Sequence, residues 1–244
     1  MRAAALALTF TFVSSVFMPT SGMAQQDNYR NSVDWVAADP TQALRDAEGW
    51  RDAGGGLAAR HCRALALAAL DDFNGAAVEA ESVAASMPPS DARVNLLVQA
   101  GEFRMATGDP YSARAQFDAA LLEAPNNTDA LEGRATTMAS TGDIQGAIND
   151  LNRVISLEPG NVDALSLRAA ALRRNGDFVG ALTDAENAVS YGPTSAVAYF
   201  ERGAARAVSG DAAGAESDWQ TAISLDPGGP MADLANSNLA RLRR

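Results

Sequence analysis

Apolar residues recur at helical spacing along most of this chain. Leu131 and Met138, then Ile148, Leu151 and Ile155, fall seven, or three and seven, residues apart, the spacing that collects side chains on one helix face. Small and turn-forming residues interrupt this pattern at regular intervals. The pattern therefore predicts short amphipathic helices in pairs, each pair folded back on itself at a tight turn.

The interruptions are periodic. Pro125, Pro159, Pro193 and Pro227 lie 34 residues apart, and so do Gly108, Gly142, Gly176 and Gly210. Each of these glycines is followed by an aspartate: Asp109, Asp143, Asp177 or Asp211. Ala113, Ala147, Ala181 and Ala215 keep the same register, as do Ala120, Val154, Ala188 and Ala222. A glycine suits the left-handed position that ends a helix, and an aspartate after it can cap the next one. Pro110 stands where proline opens a helix well. The small residues mark helix crossings, and the later proline stops the second helix.

This register resembles the tetratricopeptide repeat. That family's large residue early in the first helix is matched by Leu97, Leu131, Leu165 and Tyr199, and its small position by Gly101, Ala135, Ala169 and Gly203. Its second-helix aromatic is matched by Phe117 and Trp219, with Leu151 and Ala185 in the middle copies. The resemblance implies an all-α fold, a right-handed superhelical solenoid of helix-turn-helix repeats. Its repeats span 94–127, 128–161, 162–195 and 196–229. A degenerate copy at 57–93 aligns through Asp72 to Ala77, with Asp71 in place of the turn glycine. Residues 25–56 form an N-terminal segment with a half-repeat, whose helix runs to about Trp50 before Gly54–Gly56 breaks it. Residues 230–244 supply a capping helix, with Met231, Leu234, Ala235, Leu239 and Leu242 on its apolar side. Trp219 is expected beneath that cap.

Two further columns invite an explanation. Gly75, Gly146, Gly180 and Gly214 sit in the first turn of the second helix, where close approach of a neighbouring helix is one possible cause. Arg134, Arg168 and Arg202 recur with Asp150, Asp184 and Asp218 of the same repeats, and are expected to pair as a ladder between helices.

Composition changes the picture mainly at the N-terminus. Arg2 precedes an uncharged apolar run from Ala3 to Met18, and small residues follow up to Ala24. That order predicts a secretory signal peptide over residues 1–24, with the mature chain starting at Gln25 and lying in the periplasm. The run is short for a membrane span, which needs about 20 apolar residues. All 19 basic residues are arginine, which with abundant alanine and glycine points to a GC-rich bacterial source. The formal charge is −11, and cleavage would remove Arg2 and no acid. Such a balance disfavours nucleic acid as a partner.

The chemistry of a catalytic or metal site is not evident. Cys62 is the only cysteine and His61 the only histidine, so neither a disulfide nor a metal shell can be completed. Gly54–Gly56 lacks the Lys-Ser or Lys-Thr of a phosphate loop. The expectation is a protein that is not an enzyme and takes no cofactor. Its partner is expected to be a protein or peptide, and no span holds the mature chain in the membrane.

The resemblance implies protein binding as a class; with the expected export, the expectation is a scaffold or adaptor that binds a peptide or helix of an envelope partner in a groove formed by the first helices. The alternative is a structural subunit of a larger envelope assembly, for secretion or division; a carbohydrate-associated factor is a third reading. By register, the groove is lined by Asn95, Glu102, Asp129, Glu132, Thr136, Asp163, Ser166, Arg173 and Arg174, with His61 and Val98 on the same side. Carboxylate-binding members of the family converge lysine, asparagine and arginine on a peptide's C-terminus. Here Glu102, Asp129 and Glu132 would repel that charge, so a neutral or basic ligand is expected, with Arg173 and Arg174 holding a local acid or a carbonyl.

Overall fold

A computed structural model describes residues 23–242 of the chain, and side chains from Asn28 onward. The expected signal peptide lies outside the described residues, apart from Met23 and Ala24 at the start of the first helix. The described residues are helical, with no strand among them, and form an all-α repeat solenoid. They divide into two compact units, residues 23–137 and 138–242.

The first unit holds α1 (Met23–Ala38), α2 (Pro40–Asp52), α3 (Gly56–Ala69), α4 (Phe73–Ala85), α5 (Asp91–Ala106), α6 (Pro110–Glu123) and most of α7 (Thr128–Thr141). The second holds α8 (Ile144–Leu157), α9 (Val162–Arg174), α10 (Phe178–Tyr191), α11 (Ala196–Val208), α12 (Ala212–Leu225) and α13 (Pro230–Leu242). Helix α1 has no counterpart in the sequence reading; its lone turn of signal, Asp39–Pro40, belongs to α2. There Asp39 caps Gln42 N–H at 2.9 Å, as Asp109 caps Ser112 N–H at 3.1 Å before Pro110.

The glycine–aspartate column works as a two-sided hinge. Gly108, Gly142, Gly176 and Gly210 have φ of +77°, +93°, +86° and +88°, the left-handed region that glycine enters without a Cβ penalty. The backbone N–H of the next aspartate closes the helix just ended, Asp177 N–H donating to Leu172 O at 2.9 Å. Its side chain then opens the next helix, Asp177 Oδ1 accepting from Gly180 N–H at 2.9 Å. One residue thus satisfies orphan groups of two helices. In the degenerate copy Asp71 itself takes the left-handed position, with φ of +62°. At the far end, Ala124, Glu158, Gly192 and Asp226 cap the second helices in non-helical conformations. Each precedes a column proline, which disfavours the helical region for the residue before it.

The first-turn glycines have a local cause, not the neighbouring helix suggested by the pattern. A Cβ on Gly75, Gly146, Gly180 or Gly214 would come within 2.0–2.6 Å of the capping aspartate's carboxylate. The cap folds over the space that a side chain would fill.

Alanine makes the core. Ala113, Ala147, Ala181 and Ala215 are fully buried, as are Ala120, Val154, Ala188 and Ala222. Larger side chains fill what the alanines leave. In the first unit Phe117 lies against Gly101 and Gly133, where an added Cβ would sit 2.7 and 2.4 Å from its ring. In the second, Trp219 is buried with Phe200, Ala204, Ala235 and Leu239, so α13 covers it as the capping expectation required.

The arginine ladder is present in the second unit. Arg168 holds Asp184 through two bonds of 2.7 Å, and Arg202 holds Asp218 through bonds of 3.0 and 2.7 Å. The column also reaches backwards, which the sequence reading missed. Arg168 Nη1 donates to Asn152 Oδ1 at 2.8 Å, and in the first unit Arg134 Nη1 donates to Asp118 Oδ1 at 2.8 Å. Arg168 thereby ties α9 to the second helix on either side of it.

Candidate functional site

The groove expected from register is described separately in each unit. In the first unit its positions come from α3, α5 and α7. Asn95 and Glu102 are half-buried on α5; on α7 Asp129 is exposed, and Glu132 and Thr136 are half-buried. Two of these are brought together electrostatically. Burial, and to a lesser degree the nearby charge of Asp129, push the Glu102 carboxyl up to about 7. Among the described residues no cation contributes to Glu102, so the ionised form is poorly compensated.

His61 and Val98 are not groove-lining. Val98 is buried, and His61 is 2% exposed. Helix α1, unforeseen from sequence, supplies the reason: the Tyr29 hydroxyl lies 2.9 Å from His61 Nδ1, and its ring stacks on the imidazole at 5.9 Å. On the other side, His61 Nε2 is 2.9 Å from Gln99 Oε1. The arrangement fits a neutral ring that donates from Nε2 and accepts at Nδ1. Burial depresses the imidazole to about 4, against the smaller opposing effect of Gln99. Cys62 is buried beside it, and burial pushes its thiol up to about 12. Neither residue is poised for nucleophilic or acid–base chemistry, and among the described residues no group of acids, histidine and cysteine could hold a metal ion.

In the second unit Asp163 is exposed in the first turn of α9 and Arg174 is exposed in its last. Ser166, assigned to the groove, is instead 1% exposed and donates to Val162 O at 2.7 Å, a bond within its own helix. Arg173 is also committed: Nη2 donates to Glu201 Oε2 at 3.2 Å. Burial raises the Glu201 carboxyl, and Arg173 opposes that rise. Arg173 and Arg174 therefore do not act as an available pair. Glu201 was missed because the register considered only positions repeated on each first helix. Its one signal is adjacency to Arg202, on a helix turned towards the end of α9.

The groove faces offer charge and shape, with no reacting constellation. Among the described residues no helix is long and apolar enough to cross a membrane.

The family model described as Tetratricopeptide repeat matches residues 93–162, 139–189 and 166–230. No curated protein sequence matches the chain. Among solved structures, PilW, described as a widely conserved type IV pilus biogenesis factor, is 16% identical, with a TM-score of 0.73 over 92% of this chain and 100% of its own. Cut9–Hcn1, a hetero-tetramer of the APC/C, is 13% identical with a TM-score of 0.71, over 90% of this chain and 43% of the other. The C-terminal part of a TPR repeat-containing protein from Cytophaga hutchinsonii is 17% identical with a TM-score of 0.63, over 88% and 87% of the two chains. At these identities the likeness concerns the fold.

Proposed function

Because the chain belongs to the tetratricopeptide-repeat family, whose fold suggests a protein–protein interaction scaffold, we propose that it is an exported bacterial scaffold that holds a neutral or basic segment of an envelope partner. The segment lies along the first-helix face of residues 23–137. The order of charge, apolar run and small residues at the N-terminus supports export, with the periplasm as the compartment of this reading. Scaffolds of this family are generally non-enzymatic, in keeping with the absence of a recognisable catalytic constellation in the sequence.

The observation that carries the ligand's chemistry is the raised Glu102 carboxyl beside Asp129. A cationic side chain brought there would compensate the buried charge of Glu102 and offset its repulsion by Asp129, whereas a carboxylate would add to that repulsion. In the second unit, the commitment of Arg173 to Glu201 weakens any anion site on α9. The test is titration with peptides matched except for charge and C-terminal amidation, repeated on Glu132→Arg. Preferential binding of basic, amidated peptides, weakened by the reversal, supports the reading. Preference for a free C-terminal carboxylate overturns it.

A second reading, a structural subunit of an envelope assembly, has one observation in its favour. Tyr111 and Leu122 of α6 are 77% and 85% exposed and eleven residues apart, on one side of the helix with Ala115. Purification only within a stable complex, lost in a Tyr111→Asp, Leu122→Asp double variant, would favour this reading over the first.

A further inference from the structure

A cavity of about 400 Å³ opens on α1 and α2, lined by Asn28, Asn31, Ser32, Trp35, Asp46 and Trp50. It lies outside the stretch matched by the family model, and none of its described lining comes from α5 or α7, whose acids the scaffold reading uses. We propose that this cavity is a binding site for a neutral saccharide, a pyranose ring bearing adjacent hydroxyls.

Its lining divides into two chemistries. Trp35 is 47% exposed although it is the largest kind of apolar side chain. Trp50 is held by its own packing against the cluster of Tyr29, Ala47, Ala58 and Cys62. The face of an indole carries negative quadrupolar charge. The C–H bonds on one face of a pyranose are polarised by the ring's oxygens, and they present the matching positive surface. Stacking of this kind buries the sugar's apolar face while its hydroxyls point outward around the rim.

Those hydroxyls need both donors and acceptors, and the rest of the lining offers both. Asn28 and Asn31 are exposed, and both stand on the lining. A carboxamide donates from its nitrogen and accepts at its oxygen, so it can engage two neighbouring hydroxyls at once. Asp46 accepts from Gln42 Nε2 through Oδ1 at 2.7 Å, which steadies the carboxylate and leaves its other oxygen for a hydroxyl donor. Among the described residues no arginine lines the cavity, and Asp46 is the one charged group on it. An acidic sugar or a phosphate would meet only that carboxylate, so the ligand is neutral. The volume suits one or two sugar rings, at the small end of ordinary ligand sites of roughly 300–1,000 Å³. A peptide would need apolar pockets for its side chains, and this rim is mostly polar.

The sugar could be free or part of a polymer, and two arms of one experiment separate these sources. The chain has three tryptophans, two of them in this cavity, while Trp219 is buried under α13 and serves as an internal constant. The full chain is titrated with chitotetraose, cellotetraose, maltotetraose and tetragalacturonate, following tryptophan fluorescence, and is also passed over insoluble chitin and cellulose. At least one neutral tetrasaccharide is expected to shift the emission saturably, with tetragalacturonate without effect. Trp35→Ala and Asn31→Ala should each weaken binding at least tenfold while circular dichroism stays unchanged. Retention on a polymer with release by the matching tetrasaccharide assigns a polymer source, and titration without retention assigns a free oligosaccharide. No response to any neutral sugar, preference for the uronate, or binding indifferent to both variants overturns the proposal, as does displacement of the sugar by the basic peptides that bind α5 and α7.

Discussion

Trp219 Nε1 donates to the carbonyl oxygen of Phe200 at 3.1 Å. The indole is thereby fixed between α11 and α13 with its polar atom satisfied, and Gly203 leaves the space it fills, since a Cβ there would come within 2.7 Å of Nε1. Trp219→Ala removes the contacts with Ala235 and Leu239 together with the bond to Phe200. A loss of about 3–5 kcal/mol is expected, the range for truncating a buried large aromatic. The urea midpoint of the variant checks it, and an unchanged midpoint would mean that α13 does not cover the repeat.

Asp218 serves two arginines at once. It accepts from Arg202 and also from Arg206 Nη1 at 2.9 Å, and its side chain is 3% exposed. Asp218→Ala leaves Arg202 without its paired carboxylate and Arg206 with only Asp211, at 3.8 Å. The expected cost is about 3 kcal/mol, at the low end for breaking a buried pair because both arginines keep some water. Arg206→Met should cost clearly less, since Arg202 remains to pair with Asp218. Equal losses in the two variants, measured by denaturant unfolding, would sink this ranking.

Much of this framework was legible in the sequence because a repeat writes each physical requirement several times. Gly176 alone would be a weak turn signal; with Gly108, Gly142 and Gly210 in register it specifies a left-handed helix end. Trp219 beneath the cap followed from the same register. What the repeats do not share was hidden. Helix α1 has no copy elsewhere, so nothing announced that Tyr29 would cover His61. Ser166 stood at a groove position by periodicity, but a small hydroxyl can bond its own helix and vanish into the core. Glu201 occupies a column filled by Gly133 and Leu167 in other repeats, so its pairing with Arg173 belongs to one repeat interface and not to the pattern.

Asp71 offers a test of the turn column. It holds φ of +62° where four other copies use glycine. Asp71→Gly removes the side-chain penalty of that region but adds freedom to the unfolded chain. A net stabilisation of up to about 1 kcal/mol is expected. In the opposite direction, Gly176→Ala should destabilise by about 1 kcal/mol or more. Thermal unfolding of both variants distinguishes this from a turn set by tertiary contacts, for which the two substitutions would have no opposite signs.

His61 makes stability depend on pH in a definite window. Its native imidazole is depressed to about 4, from an ordinary value near 6.5. Between those values the unfolded chain takes up a proton that the native protein refuses, so His61 costs stability progressively as pH falls from 6.5 towards 4. Above pH 7 both states are neutral and the effect is absent. As the only histidine, His61 gives a single imidazole signal in a proton NMR titration. A midpoint near 6.5 in the folded protein would contradict its burial between Tyr29 and Gln99.

Glu102 acts with the opposite sign. Its native carboxyl is raised to about 7, so the native protein binds a proton that the unfolded chain releases over roughly pH 4.5 to 7. Stability from this group is complete at low pH and is lost as pH rises through 7. Glu102→Gln imitates the protonated form at every pH. The variant should therefore exceed the natural protein in stability at pH 8, by about 1–2 kcal/mol once the remaining contact of Glu102 with water is allowed for. The two should converge near pH 4.5. Comparing urea midpoints at both values cancels the other carboxylates, which titrate alike in the two proteins. The same carboxyl should also report its ligand: a basic peptide bound beside Asp129 would lower it, releasing a fraction of a proton at pH 7. Calorimetry in buffers of different ionisation enthalpy would register that release, and Glu102→Gln should abolish it.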